Sequence, residues 1–317
     1  MSGRVAAVVV SYNVRDLLLE CVASLDEARQ RGELQTIVVV DNASHDGSAE
    51  AVRGRFPDLE VIEASNRGYG AGANLGIAAT SEEYVLILNP DTVIPPGTVA
   101  VLSALLGNRP DVALAGPRLR YPDGSIQPTI RRFPERLTPL FESTIFAAWW
   151  PDNGWSRRFH MRDVAGGLDG AREVDWVVGA AMLVRRAAIV EAGGFDESFL
   201  MYSEEVEWCW RLRRHGWAIV YEPSVEIIHH EGASTSQDVP SRQVAFDTSR
   251  IRLARRMYGP GTAAVVRAGL LAGYGLQLVR EAIKWLLGHR RDLRRQRILL
   301  YLGALRTGLR ERDGRAP

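Results

Sequence analysis

The feature that most constrains this chain is an alternation of short apolar runs with amphipathic ones across its first 115 or so residues. The apolar runs are 4–10, 35–40, 59–63, 84–88 and 112–115. Most are rich in Val, Ile or Leu, the pattern of strands buried on both faces. Between them lie helix patterns at 14–30, 47–55, 70–79 and 96–107. The first repeats Val14, Leu17, Leu18, Cys21, Val22 and Leu25 at helical spacing, and the last opens on Pro95 and Pro96. Strand and helix in turn predict an α/β fold, a mainly parallel sheet flanked by helices with right-handed crossovers. Ligands of such sheets bind beyond the carboxyl ends of the strands, so the polar residues directly after each strand are the candidates for function.

Beyond residue 116 the pattern loosens. Residues 117–170, with many Pro, Gly, Arg and Trp, read as a long excursion over the acceptor side. Strand character returns at 174–184, a helix is expected at 203–215, and one or two strands at 218–228. Residues 231–243 read as a polar loop, and a basic helical tail follows from about 245. We divide the chain into a body, 1–240, and a tail, 241–317. The tail holds 17 Lys and Arg against five Asp and Glu, a net of +12, while the body holds 22 against 33, a net of −11. A tail so basic is expected to meet something anionic. Cys21 and Cys209 lie far apart, each in an apolar helical pattern, and read as reduced core thiols, which suits the cytoplasm. No signal-peptide pattern precedes the first strand.

The strand ends carry the chemistry. VVVSYN and VVVDNASHDGS put Tyr12 and Asp41 side by side at the sheet edge. There an Asp can accept the N3–H of uracil or thymine and an aromatic can cover the base; read alone, Asp41-Asn42 equally suits a turn. In SNRGYGAGANLGI, small residues open a helix whose N-terminus favours anions, with Asn66 and Asn74 at hand; tight helix–sheet packing explains the glycines equally well. YVLILNPDT ends an apolar strand in Asn89, Pro90 and Asp91, a place where a carboxylate can hold a divalent ion against a diphosphate. GGFDESFLMYSEEVEW puts Glu204, Glu205 and Glu207 in one first helical turn. Acids there suit the helix dipole, but the apolar FLMY before them favours desolvation, which suits a carboxylate to general-base work. IIHHEGAST offers two histidines after a strand as metal-ligand candidates.

Taken in order over residues 5 to 235, these segments, with VDWVVGAAMLVRR, resemble the family 2 glycosyltransferases of the GT-A fold, in their rhamnosyltransferase-like branch. The resemblance implies a Rossmann-like GT-A body with a C-terminal helical extension. It implies that Tyr12 and Asp41 hold the base and that Asn66, Arg67 and Asn74 lie along the nucleotide sugar. Asp91 stands in the family's D-x-D metal position, Glu205 matches the catalytic base, and His229 matches a histidine reaching the metal, with His230 as rival. Gly179 and Ala180 match the donor–acceptor junction, and Trp176 an acceptor wall. Two departures stand out. The D-x-D reads Asn89-Pro90-Asp91, one carboxylate short, and the usual Glu-Asp pair reads Glu204-Glu205, leaving Glu204 as an alternative base.

The activity implied is an inverting transfer, assisted by Mg2+ or Mn2+, from a dTDP- or UDP-sugar to the hydroxyl of a glycan or lipid-linked acceptor. L-rhamnose from dTDP-L-rhamnose leads, with galactofuranosyl or N-acetylglucosaminyl transfer from UDP-sugars behind it. A nucleotidylyltransferase needs a Gly-rich basic loop where SYNVRD stands, and a non-catalytic carbohydrate-binding protein does not need the acids. Three partners are open to the tail: an anionic membrane surface at the inner face of the cell membrane, the acidic body, or a second copy in a homodimer. The uncharged stretch 268–279 is short of the roughly 20 residues that span a bilayer, so the membrane reading is peripheral. The Arg runs lack interleaved aromatics, so no nucleic acid is expected.

Overall fold

A computed structural model describes residues 3–142, 144–161, 170–231 and 239–310. The expected alternation is present: β1 (Val5–Ser11), α1 (Arg15–Gln30), β2 (Thr36–Asp41), α2 (Ser48–Arg55), β3 (Glu60–Glu63), α3 (Tyr69–Ala78), β4 (Tyr84–Leu88), β5 (Thr92–Val93), α4 (Thr98–Asn108) and β6 (Val112–Arg120). The excursion holds short pieces: β7 (Ile126–Gln127), β8 (Ile130–Arg131), α5 (Thr138–Phe141), α6 (Ile145–Trp149) and α7 (Gly154–Phe159). After it come β9 (Arg172–Glu173), β10 (Trp176–Val177), β11 (Ala181–Arg185), α8 (Arg186–Ala192), α9 (Glu204–Arg214) and β12 (Ala218–His229). The tail is α10 (Val239–Tyr258), α11 (Pro260–Leu286) and α12 (Arg291–Thr307).

The main sheet runs β3-β2-β1-β4-β11-β6-β12-β5, with β7 beside β6 and β9 beside β12; β8 and β10 pair apart. Strands β1 to β4 are parallel, as are β6 and β12, while β11 enters antiparallel between β4 and β6. The strand character at 174–184 resolves into two strands, because Val178–Ala180 turn the chain between sheets. Residues 218–229 form one strand that stays continuous through an irregularity between Glu222 and Glu226.

Alternate residues of β1 feed two cores. Val5, Ala7 and Val9 pack with Leu18, Val22 and Leu25 of α1; Val8 and Val10 pack with Ala73 and Ile77 of α3 on the other side. The glycines of α3 permit this approach. A Cβ at Gly72 would lie 2.8 Å from a methyl of Val10, and one at Gly76 would collide with Val8. Close packing is therefore one of their uses.

The tail begins earlier than expected, at Val239 instead of about 245, so a division at 240 cuts the first turn of α10. This helix docks on the acidic body. Arg256 pairs with Asp196 at 2.6 Å, Arg252 lies over the Phe199 ring, and the Ser249 hydroxyl donates to the Met201 carbonyl at 2.6 Å. Helices α11 and α12 complete a third core with Ile251 and Ala254. At 27 residues, α11 is long and apolar enough, by length and composition alone, to cross a membrane. The expectation that the tail is too short for this counted only the uncharged run; the helix continues through Arg267 and Arg280.

We predict that Gly76→Val lowers stability by about 1–3 kcal/mol through overpacking against Val8. Gly303→Ala, in α12 with open space around it, should raise stability by up to about 1 kcal/mol. Urea denaturation of both variants checks the contrast.

Candidate active site

The parallel register sets Ser11 beside Asp41 at the carboxyl edge. Asp41 is 3% exposed; its Oδ2 accepts the Ser44 N–H at 2.9 Å, which is the turn expected of it. Its Oδ1 is buried with no protein partner, as is the Ser11 hydroxyl. A buried polar atom left so costs about 1–3 kcal/mol, which makes Asp41 Oδ1 a candidate for contact with a ligand. Tyr12 follows, half-buried. Asn42, in the same turn, donates to the Gly68 carbonyl at 3.2 Å and ties this edge to α3.

The Gly-rich loop differs in part from the expectation. Asn66 accepts the Gly68 N–H at 3.1 Å and shapes the turn. Gly68 has φ of +100°, and a Cβ there would strike the Leu200 carbonyl. Asn74 does not lie free along a nucleotide sugar. Its amide donates to the Phe195 carbonyl (3.0 Å) and Glu197 (3.1 Å), and its oxygen accepts the Phe195 N–H (2.9 Å), so its polar capacity is spent on the loop before α9. Arg67 pairs with the same Glu197 at 3.0 Å.

At the end of β4, Asn89 is fixed by its N–H to the Ala180 carbonyl (2.9 Å), and Asp91 turns inward, 5% exposed. Strand β5 then pairs antiparallel with the end of β12, Thr92 opposite His229. That register decides between the two histidines. The ring of His229, 4% exposed, faces the site, with Nε2 3.3 Å from Asp91 Oδ1 and 3.4 Å from Asn89 Nδ2; His230 contributes its backbone N–H to the Asp91 carbonyl. His229 Nδ1 donates to Gln127 Oε1 at 2.9 Å. With the proton on Nδ1, Nε2 turns its lone pair toward a carboxylate oxygen. Two buried acceptors so placed are suited to sharing a cation. Among the described residues no three His, Cys, Asp or Glu side chains gather at one point. Any ion here would draw its remaining ligands from substrate or water. Residues 232–235 of HHEGAST lie outside the described residues.

The base end is built on strained backbone. Tyr202 and Ser203 are consecutive non-glycine residues with φ of 66° and 67°, a conformation costing about 1–3 kcal/mol each. Helix α10 holds them there through the Ser249–Met201 bond and Phe246, whose ring meets that of Tyr202 edge-on at 5.3 Å. The turn starts α9 at Glu204. Glu207 is structural: it grips Arg211 at 2.8 Å, and Arg211 binds the carbonyls of Ala192 and Gly194. Glu204 and Glu205 each keep one buried carboxylate oxygen without a partner. Burial pushes Glu204 well above the usual carboxylate range, and the neighbouring Glu205 charge adds to this. Burial pushes Glu205 up to about 7, against weaker help from backbone N–H groups. That rise is worth about 3 kcal/mol, whereas a helix dipole returns at most about 1 kcal/mol to an exposed acid. Desolvation wins. Glu205 is the more accessible of the two, and its Cβ lies 3.4 Å from where a Cβ of Gly179 would be. A side chain at 179 would crowd it.

Three residues escape sequence reasoning: Ser11, Gln127 and Tyr69. Tyr69 Oη lies 3.4 Å from the Gly179 carbonyl, and burial, then Glu204, Glu205 and Asp91, push its phenol up, so one ring senses both the carboxylate pair and Asp91. Trp176 is not a wall facing an acceptor. It is 7% exposed, donates its indole N–H to the Arg132 carbonyl at 2.9 Å, and packs on Phe159. Cys21 and Cys209 are buried free thiols, as expected; burial pushes Cys21 up to about 12.

A sheet edge with an unpartnered buried Asp41 oxygen at one end and a buried carboxylate pair at the other suits a sugar-transferring enzyme. The chain belongs to the glycosyltransferase family 2: residues 3–259 match the family described as "Glycosyltransferase like family 2". It is 32% identical, over 82% of its length and 87% of the relative's, to the N-acetylglucosaminyl-diphospho-decaprenol L-rhamnosyltransferase of Mycobacterium tuberculosis. It is 23% identical to the rhamnosyltransferase WbbL of Escherichia coli K12, over 70% and 82%. Its fold is similar to that of the mannosyltransferase PcManGT of Pyrobaculum calidifontis, solved with GDP-Man and Mn2+, at a TM-score of 0.54 and 17% identity, over 96% and 87% of the two chains.

The raised carboxylate makes a stability prediction. Glu205 ionises at pH 4.5 in the unfolded chain and at about 7 in the folded one. Between these values the unfolded state holds fewer protons, so this group's contribution falls as pH rises through that window. Glu205→Gln should therefore leave stability nearly unchanged at pH 4 and raise it by about 1–3 kcal/mol at pH 8. Thermal melts at both pH values check this.

Proposed function

We propose that this glycosyltransferase inverts the anomeric carbon and transfers L-rhamnose from dTDP-L-rhamnose to a lipid-linked glycan of the cell envelope, on the cytoplasmic side. One observation carries the chemistry: Glu205 keeps a buried, unpartnered oxygen beside Gly179, with a proton affinity poised near neutrality. The relatives named for rhamnosyl transfer support the sugar, and the decaprenol-linked acceptor in one of their names supports the acceptor class.

Asp41 Oδ1 accepts the N3–H of the base, and Tyr12 covers its ring. Uracil and thymine share that N3–H, so Asp41 alone admits UDP-sugars as well. Glu205 takes the proton of the acceptor hydroxyl while that oxygen bonds to the anomeric carbon. The bond to the diphosphate oxygen breaks on the opposite face, its electron pair leaves with the diphosphate, and one displacement inverts the centre. Burial makes Glu205 basic, and Glu204, more buried and beside it, is itself pushed up by burial and by the Glu205 charge. Asp91 and His229 fit a divalent cation, Mg2+ or Mn2+. Such an ion, when bound, supplies positive charge to the leaving diphosphate. Gln127 fixes the His229 tautomer whose Nε2 carries the lone pair for it, and Asn89, 3.4 Å from that Nε2, stands where a second carboxylate is usual.

Glu205→Gln should lower kcat by roughly 10²–10⁴-fold while nucleotide affinity stays within about twofold. A normal kcat in Glu205→Gln beside an inactive Glu204→Gln would move the role one residue earlier. The anomeric proton of the product, read by NMR, should show the configuration opposite to the donor's.

Asp91→Asn and Gln127→Leu should each weaken Mn2+ binding about 10–100-fold. Electron spin resonance of free Mn2+ in the presence of dTDP reads this without turnover. Unchanged Mn2+ affinity in both variants, together with full activity in chelator, would remove the metal from the account.

A further inference from the structure

Helix α11 is amphipathic in an unusual sense: both its faces are apolar, but only one is covered. Val266, Leu270 and Tyr274 are buried against the other tail helices, and Gly273 is buried against α6. On the outer face Val265, Ala272, Leu276, Val279, Ile283 and Leu286 follow at intervals of seven, four, three, four and three residues, and all six are exposed. Ile283 and Leu286 are 52% and 69% exposed. The stripe is about 30 Å long, a larger apolar feature than monomers usually leave in water. At its C-terminal end stand exposed Arg290, Arg291 and Arg295, with Arg291 over the Trp285 ring at 5.8 Å. Helix α6, whose Ile145 and Phe146 pack near Gly273 of α11, leaves Trp149 and Trp150 more than half exposed.

We propose that this face of α11, with its arginine collar, is a docking surface for an anionic lipid bilayer, in which the helix lies along the interface. Charge selects the occupant. Packing the same face of a second copy against it would bring two tails of +12 together, whereas each basic residue near an anionic leaflet contributes about 1 kcal/mol of binding, roughly a fivefold gain in affinity. Tryptophan and arginine beside an apolar stripe are also the side chains that settle at headgroup level. The helix lies flat because its inner face is committed. Tyr274 donates to Asp247 at 2.6 Å, and Glu281, 3% exposed, pairs with Arg294 at 2.5 Å. Crossing the bilayer would strip both contacts and carry Glu281 into the hydrocarbon without Arg294. Docking has a consequence for the site. Helix α10, joined to α11 at Gly259–Pro260, grips Met201 and Tyr202 directly before Glu205, so the lipid surface and the catalytic base share one support.

The test is flotation of the full chain with vesicles of phosphatidylethanolamine and phosphatidylglycerol, against vesicles of phosphatidylcholine, without donor or acceptor, so that its failure is distinct from failure of the proposed chemistry. The protein should float with the anionic vesicles, less so in high salt, and stay behind with the neutral ones. The double variant Ile283→Glu, Leu286→Glu should lose flotation, and the triple variant Arg290→Gln, Arg291→Gln, Arg295→Gln should bind about 10²-fold more weakly. Both should keep the parent's melting temperature and affinity for dTDP, since the substituted side chains are exposed and remote from the site. Absence of flotation in the parent chain, or flotation of the double variant equal to the parent's, would overturn the proposal. So would a parent that is dimeric by light scattering, fails to float, and becomes monomeric in the double variant, because that assigns the face to a second copy.

Discussion

Two strand residues hold the active site together. β5 is only Thr92 and Val93, yet its antiparallel pairing with Ile228 and His229 brings the end of the longest strand back over the end of β4. Without it Asp91 would end a parallel strand in solvent, and His229 would leave the sheet far from it. With it, an imidazole and a carboxylate are buried 3.3 Å apart and the irregular segment 121–131 folds inward to place Gln127 on the imidazole. The pairing also buries Thr92, which bonds the Asn89 carbonyl at 2.8 Å and fixes the turn between them. Geometry that a longer loop would have left mobile is thus set by a ladder of backbone hydrogen bonds.

The other half of the site depends on strain that the tail offsets. Tyr202 and Ser203 adopt left-handed backbone without being glycine, and the contacts that hold them come from α10, 40 and more residues later in the chain. Family membership ends near the same place, at residue 259, with the last residues of α10 inside the match. The first tail helix is therefore docked on the family-matched body, and the tail's basic residues are divided: Arg252 and Arg256 meet Phe199 and Asp196, while Arg290, Arg291 and Arg295 stay exposed on the outer helices.

Much of this was legible in the sequence, for identifiable reasons. Strands buried on both faces read as apolar runs, so β1, β2 and β4 lie where the pattern puts them, with Tyr12, Asp41 and Asp91 at or just past strand ends and the Glu204–Glu205 pair at the start of α9. The rest depends on contacts distant in sequence. Nothing in the composition around Gln127 marks it as a partner of His229, 102 positions away. Asn74 and Trp176 are polar or aromatic residues in motif positions, and both are turned inward by neighbours that periodicity does not show: the Phe195 backbone for one, the Arg132 carbonyl for the other. The glycines of α3 bear out the packing reading, since they let the helix approach β1.

The central claim is that Asp41 and the Asp91–His229 pair mark the two ends of one nucleotide diphosphate. A crystal structure with dTDP and Mn2+ tests it most directly. Asp41 Oδ1 is expected to accept the thymine N3–H at about 2.7–3.2 Å, and Asp91 and His229 to be the protein ligands of the ion. A nucleotide bound elsewhere, or one bound at this edge with Asp41 Oδ1 still unpartnered and the metal on other residues, would contradict it.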